Sequence, residues 1–177
     1  MKVSLINSRF FIACFLSAVI IIFFIAANMT AQSKKQSIAG TWKLIAYEDH
    51  LPEGQIEYPF GKHPVGLLIY DTNGYMAIQI MKTPHPKVAS GDDEKITTEE
   101  KMSLFDSYVA YFGRYTVDWK KQIVTHNVEG DLADVYIGTA QERPFELKGD
   151  RLSLLPQWTE ASGVKVKGVR IFERVKK

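Results

Sequence analysis

The run VGLLIYDTNGYMAIQIM, residues 65–81, decides how this chain reads. Two stretches rich in β-forming residues flank Asn73-Gly74, a pair that supplies positive φ in a hairpin turn. Upstream, GTWKLIAYE (40–48) alternates, with Trp42, Leu44 and Ala46 on one face and Lys43 on the other, which predicts another strand. Downstream the period changes. Thr97 followed by Glu100 matches a capping box, and Met102, Phe105 and Val109 fall at helical spacing. These features predict one helix over about 98–111. YFGRYTVDWKKQIVTHNVEG (111–130) then reads as two strands joined across WKK. Residues 137–156 make a further hairpin turning at Gly149-Asp150, and 164–175 a last strand. The count is eight strands and one helix, an all-β chain whose regular turns suit a barrel or sandwich. Eight antiparallel strands close into a barrel wide enough for one small ligand. The irregular stretches 50–64, with three prolines and two glycines, and 82–96 are expected to gate its open end.

The first residues follow a different logic. Lys2 and Arg9 precede an uncharged apolar run over residues 10–27. Residues 1–31 read as a signal peptide, with cleavage after Ala31, or as an N-terminal membrane anchor, since the run nears the length of a span. Residues 32–38 are a polar linker, and 39–176 are one domain by length. The expected location is outside the cytoplasm, periplasmic or secreted, with the membrane touched only through residues 10–27 if they are retained. Cys14, the sole cysteine, lies in this leader, so the domain has no disulfide or thiolate site. Beyond residue 31, basic and acidic residues balance at 20 each, which argues against nucleic acid as a partner. His50, His63, His85 and His126 lack metal-ligand spacing, and no metal or other cofactor is expected.

Gly40-Thr41-Trp42 is the G-x-W of calycin barrels. GTWKLIAYE, PVGLLIYDTNGYMAIQIM, YFGRYTVD, VTHNVEG and RPFELKGDRLSL follow in the order seen in the bacterial and fungal lipocalin-like domain family, which residues 38–175 resemble. The resemblance implies an antiparallel eight-stranded lipocalin-like barrel, with the helix inserted between the third and fourth strands. It also implies that Trp42 closes the barrel base, with Arg170 or Arg174 stacked across it. The family often carries two histidines where this chain has His126 and Asn127. Some fungal members act in natural-product pathways.

Strand parity puts Val124, His126 and Val128 on one face, the expected interior. Arg114 inside a barrel would need an anionic partner, either Glu129 or a ligand carboxylate. Arg114, His126 and Glu129 are therefore expected to form one polar cluster, joined by Tyr75, Tyr111 and Tyr115 around a ligand. The leading expectation is an exported protein that binds a small, mostly apolar molecule in the barrel. One alternative is an isomerase- or cyclase-type enzyme with His126 as proton-transfer residue. Another is a structural envelope domain with a filled interior and no ligand.

Overall fold

The computed structural model describes residues 36–176. The leader and the first residues of the linker lie outside the described residues. Among the described residues, no helix is long and apolar enough to cross a membrane.

Alternating side chains produce strands almost throughout. In chain order they are β1 (Gly40–His50), β2 (Ile56–Glu57), β3 (Val65–Tyr70), β4 (Tyr75–Met81), β5 (Tyr108–Asp118), β6 (Ile123–Asp131), β7 (Ala140–Lys148), β8 (Arg151–Leu154), β9 (Gln157–Thr159) and β10 (Lys165–Arg174). Eight of them pair in the order β1-β3-β4-β5-β6-β7-β8-β10, and an antiparallel β1–β10 pairing closes the circle. The short β2 and β9 extend β1 and β10 at the same end of the barrel. Closure satisfies the edge hydrogen bonds that an open sheet would leave exposed.

The hairpin at 65–81 forms with Tyr70 opposite Met76. Gly74 alone supplies its positive φ, at 88°. The Asp71 carboxylate accepts from the Asn73 and Tyr75 N–H groups and holds the turn. The β7–β8 turn is tighter, with Lys148 opposite Arg151 and Gly149 at φ 60°.

One helix, α1 (Thr98–Asp106), lies between β4 and β5. Its capping box is complete: Thr97 Oγ1 accepts from the Glu100 N–H, and Glu100 Oε2 accepts from the Thr97 N–H. The helix stops five residues before the predicted end at 111. Ser107 caps the last turn by donating its hydroxyl to the Leu104 carbonyl. Tyr108 and Val109 then pair with Met81 and Ile80 of β4. Val109 fits the helical period by number, but the ladder with β4 captures it. None of the residues of α1 is buried, so no core face holds the helix any longer.

The lower barrel is filled by Trp42, Leu68, Phe145, Leu152 and Phe172, all buried. Trp42 donates its indole N–H to the Ile38 carbonyl. The Arg174 guanidinium lies 4.1 Å from the Trp42 ring centre and donates to the Ala39 carbonyl. Trp42 and Arg174 are direct partners across the closing seam. Arg170, the other arginine expected at this ring, lies elsewhere, opposite Tyr47. Gly40 is required beside the stack. Its φ is 139°, and a Cβ there would sit 2.7 Å from Arg174 Nη1.

Removing the stack should loosen the seam. Arg174→Met is expected to lower the unfolding free energy by about 1–3 kcal/mol in urea titration followed by circular dichroism. Gly40→Ala should also destabilise, through backbone strain. An unchanged urea midpoint in both variants would show that the stack is not what secures closure.

Candidate binding site

Above this core the barrel opens into a cavity of about 480 Å3. Its apolar wall includes Ile78 and Ile80 of β4, Val109 of β5, Leu154 of β8 and Phe172 of β10. Tyr136 lines one side of the mouth, and Pro156, Gln157 and Trp158 line another.

One of two bulges decides what faces this space. Register along the seam slips between Leu44 and Ala46. The extra residue inverts the alternation. Trp42 and Leu44 point into the lower core, but Tyr47 and Asp49, not the continuation through Ala46, reach the cavity. A second slip, between Phe112 and Gly113, lets β6 carry Glu129 as an unpaired residue. Gly113 allows it, because a Cβ there would lie 2.0 Å from the Asn127 carbonyl oxygen.

The single polar cluster expected from the sequence is in fact two groups, divided by the barrel wall. Arg114 is exposed on the outer face. It pairs with Glu129 at 3.5 Å, stacks 4.3 Å over the Tyr75 ring and donates to its hydroxyl. Parity accounts for the division: Arg114 alternates with the inward residues Tyr111, Gly113 and Tyr115, and Glu129 with the inward Val128. An exposed pair of this kind contributes about 1 kcal/mol or less. Tyr115 points inward but lies outside the cavity lining. It packs 4.6 Å from Tyr70 and donates its hydroxyl to the Asp71 carbonyl.

His126 is the centre of the inner group and is fully buried. Its Nε2 lies 2.6 Å from the Tyr70 hydroxyl, and its Nδ1 lies 2.9 Å from the Tyr111 hydroxyl. Of the three, only Tyr111 lines the cavity. Burial pushes the His126 pKa down to about 3, aided by the charge of Arg143. Burial pushes Tyr111 up to about 12, against the opposing pull of Arg143, and raises Tyr70 well above the ordinary phenol range. All three groups are therefore neutral across the physiological range. Asn127 is exposed on the other face of β6, away from this group.

Arg143 escaped the sequence reading. It shares parity with Phe145 and Leu147 in RPFELK, and that alternation was the available signal. Its guanidinium donates to the Gln141 side-chain oxygen, while the Gln141 amide donates to Thr139. This chain of contacts holds Arg143 against the cavity. Arg170 also lines the cavity. It stacks 3.4 Å from the Tyr47 ring centre, donates to the Glu48 carbonyl and meets Asp49 Oδ1 at 2.7 Å. That carboxylate oxygen receives charge without an aligned hydrogen bond. Arg170 faces inward like Val166 and Phe172, but its partner across the seam is Tyr47, well above Trp42.

The two long loops cover this end of the barrel and are tied together. The Thr83 N–H donates to the Phe60 carbonyl, and its hydroxyl donates to the His63 carbonyl. Gly61 permits the approach, since a Cβ there would meet the Thr83 carbonyl oxygen at 2.0 Å. Phe60 turns inward and packs 4.7 Å from Tyr47.

The buried imidazole sets a pH dependence. As pH falls through about 6.5 the unfolded chain protonates His126, while the folded barrel resists until about 3. The unfolded state then holds more protons, so stability falls as pH drops through this window. The wild-type unfolding free energy should decline between pH 6 and 4 more steeply than that of His126→Gln, by about 1.4 kcal/mol per unit. The same pH dependence of the unfolding free energy in both proteins, measured by urea titration at each pH, would contradict this.

The sequence pattern described as the lipocalin-like domain matches residues 39–174. Over 85 residues the chain is 34% identical to the 4'-hydroxy-3'-methoxypropiophenone carrier protein ppsC of Aspergillus oryzae, covering 45% of this chain and 77% of that protein. With its closed eight-stranded barrel and the match across almost all of the described residues, the chain belongs to the lipocalin-like domain family.

Proposed function

We propose that this chain is a carrier that holds a small, mostly apolar, aromatic molecule in its barrel, outside the cytoplasm. The observation that carries the reading is the cavity. Its volume of about 480 Å3 falls within the ~300–1,000 Å3 typical of small-molecule sites. Its apolar wall carries a set of polar side chains, Tyr111, Arg143, Asp49 and Arg170 among them, that would orient a ligand. A structural domain with a filled interior would leave no such space. The relative named as a carrier of 4'-hydroxy-3'-methoxypropiophenone gives the chemical scale: one aromatic ring bearing oxygen substituents.

Carriage is favoured over catalysis by the same groups. A proton-transfer catalyst works best with a pKa near the working pH. His126, at about 3, and Tyr111, at about 12, lie far from neutrality on either side. His126 also has both ring nitrogens occupied by tyrosines and lies outside the cavity lining. Export is part of the proposal because of the uncharged run at 10–27 behind Lys2 and Arg9.

Two measurements test this. Native mass spectrometry of the protein from its own host's extract should reveal a bound small molecule, released on denaturation. Titration with 4'-hydroxy-3'-methoxypropiophenone, aromatic acids and fatty acids should quench fluorescence from Trp158 at the mouth and raise the melting temperature. A bare protein, unmoved by the whole panel, would sink the carrier reading. Cell fractionation with N-terminal sequencing tests export separately; recovery of an intact leader in the cytosol would remove that part.

A further inference from the structure

The direction of the hydrogen bonds beneath the cavity can be worked out. His126 is neutral, so one ring nitrogen donates and the other accepts. Tyr70 is buried, and among the described residues its hydroxyl has one hydrogen-bond partner, His126 Nε2. If Nε2 carried the proton, the Tyr70 hydroxyl proton would have no acceptor, a costly loss in a buried site. Tyr70 therefore donates to Nε2, and the imidazole proton sits on Nδ1. Nδ1 in turn donates to the Tyr111 oxygen, 2.9 Å away. The Tyr111 oxygen is thereby occupied as an acceptor, and its own proton is free to point into the cavity that Tyr111 lines.

Charge adds to this. Arg143 and Arg170 both line the cavity, and Asp49 is the carboxylate there. Asp49 is engaged by Arg170. Arg143 is held by the Gln141 side chain and the Glu142 carbonyl, its guanidinium also reaches the Tyr111 hydroxyl, and among the described residues it has no carboxylate partner. The cavity therefore offers one guanidinium without a carboxylate partner, which retains donors beyond those contacts, beside one phenol donor turned into the cavity. Both groups present donors to the cavity, and the guanidinium cannot accept.

We infer that the cavity selects a ligand whose apolar body ends in an anionic oxygen group, a carboxylate, seated between the Tyr111 hydroxyl and the Arg143 guanidinium. The inference rests on the carrier reading and narrows it from a small apolar molecule to an apolar acid. The buried Tyr70–His126 pair acts as a positioning element that keeps the Tyr111 hydroxyl proton turned into the cavity.

Two matched probes test it on the full-length protein: 3-phenylpropanoate, and the neutral ketone 4-phenylbutan-2-one, which has a similar body. Calorimetry should show the acid binding about ten- to a hundredfold tighter than the ketone, the worth of a charged hydrogen bond. Arg143→Met should erase that preference, and Arg143→Lys should keep part of it. Tyr111→Phe should weaken both probes, since both accept from the hydroxyl. Long-range 1H–15N correlation of the free protein should show the His126 proton on Nδ1. Equal binding of the probes, a preference that survives Arg143→Met in a folded variant, or a proton on Nε2 would each overturn the inference. Binding of a neutral panel compound with rejection of the acid would also overturn it while leaving the carrier reading intact. Rejection of every compound would remove both.

Discussion

Closure of β1 against β10 is the constraint on which the rest of the barrel depends. The two strands lie at opposite ends of the domain sequence, so their pairing is the longest-range contact in the fold. It carries three separate devices along its length. At the base, Trp42 and Arg174 stack across it, and Gly40 gives the guanidinium room. In the middle, the slip between Leu44 and Ala46 turns the strand over. At the top, Arg170 clasps Asp49 and the Glu48 carbonyl beside Tyr47. One seam thus separates a filled lower barrel from a hollow upper one.

The hollow half places polar groups where burial would normally be unfavourable. Each is accommodated in its own way. The Arg170–Asp49 pair is nearly buried and offsets part of its desolvation by mutual attraction and the carbonyl contact. His126 stays uncharged and uses both nitrogens on tyrosines. Arg143 remains half-buried at the wall, so its charge stays partly solvated. Polar groups in such a core favour one arrangement over others only when all are satisfied.

Much of the fold was legible from alternation and turn chemistry, because both are local. The hairpin at 65–81, the turn at Gly149-Asp150 and the Thr97–Glu100 cap needed only neighbouring residues. Parity also placed His126 inside. What could not be read were the register slips. A bulge is a property of two paired strands, and nothing within GTWKLIAYE announces that Tyr47 and Asp49 will turn inward after Leu44. The same blindness to partners extended α1 through Val109, whose ladder with Ile80 outweighs its helical spacing. Arg114 was assigned to the wrong side of the wall because its charge attracted a functional reading that its strand neighbours did not support. Arg143 was overlooked although its alternation with Phe145 and Leu147 carried the needed signal.

The tie between the two long loops has a kinetic consequence. Phe60, Gly61 and His63 on one loop are linked to Thr83 on the other, so neither swings away without breaking the shared bonds. The part of the rim formed by Tyr136 and Trp158 is not bound into that tie, and both residues are partly exposed. For a carrier, cargo would pass on that side. Residence time would then be governed by the aromatic rim at Trp158, while Tyr136, whose ring centre lies 6.2 Å from that of Tyr111, joins the rim to the polar floor. Substitutions at Trp158 would therefore change the speed of loading and delivery, whereas substitutions at Tyr136 would also reach the choice of cargo through Tyr111.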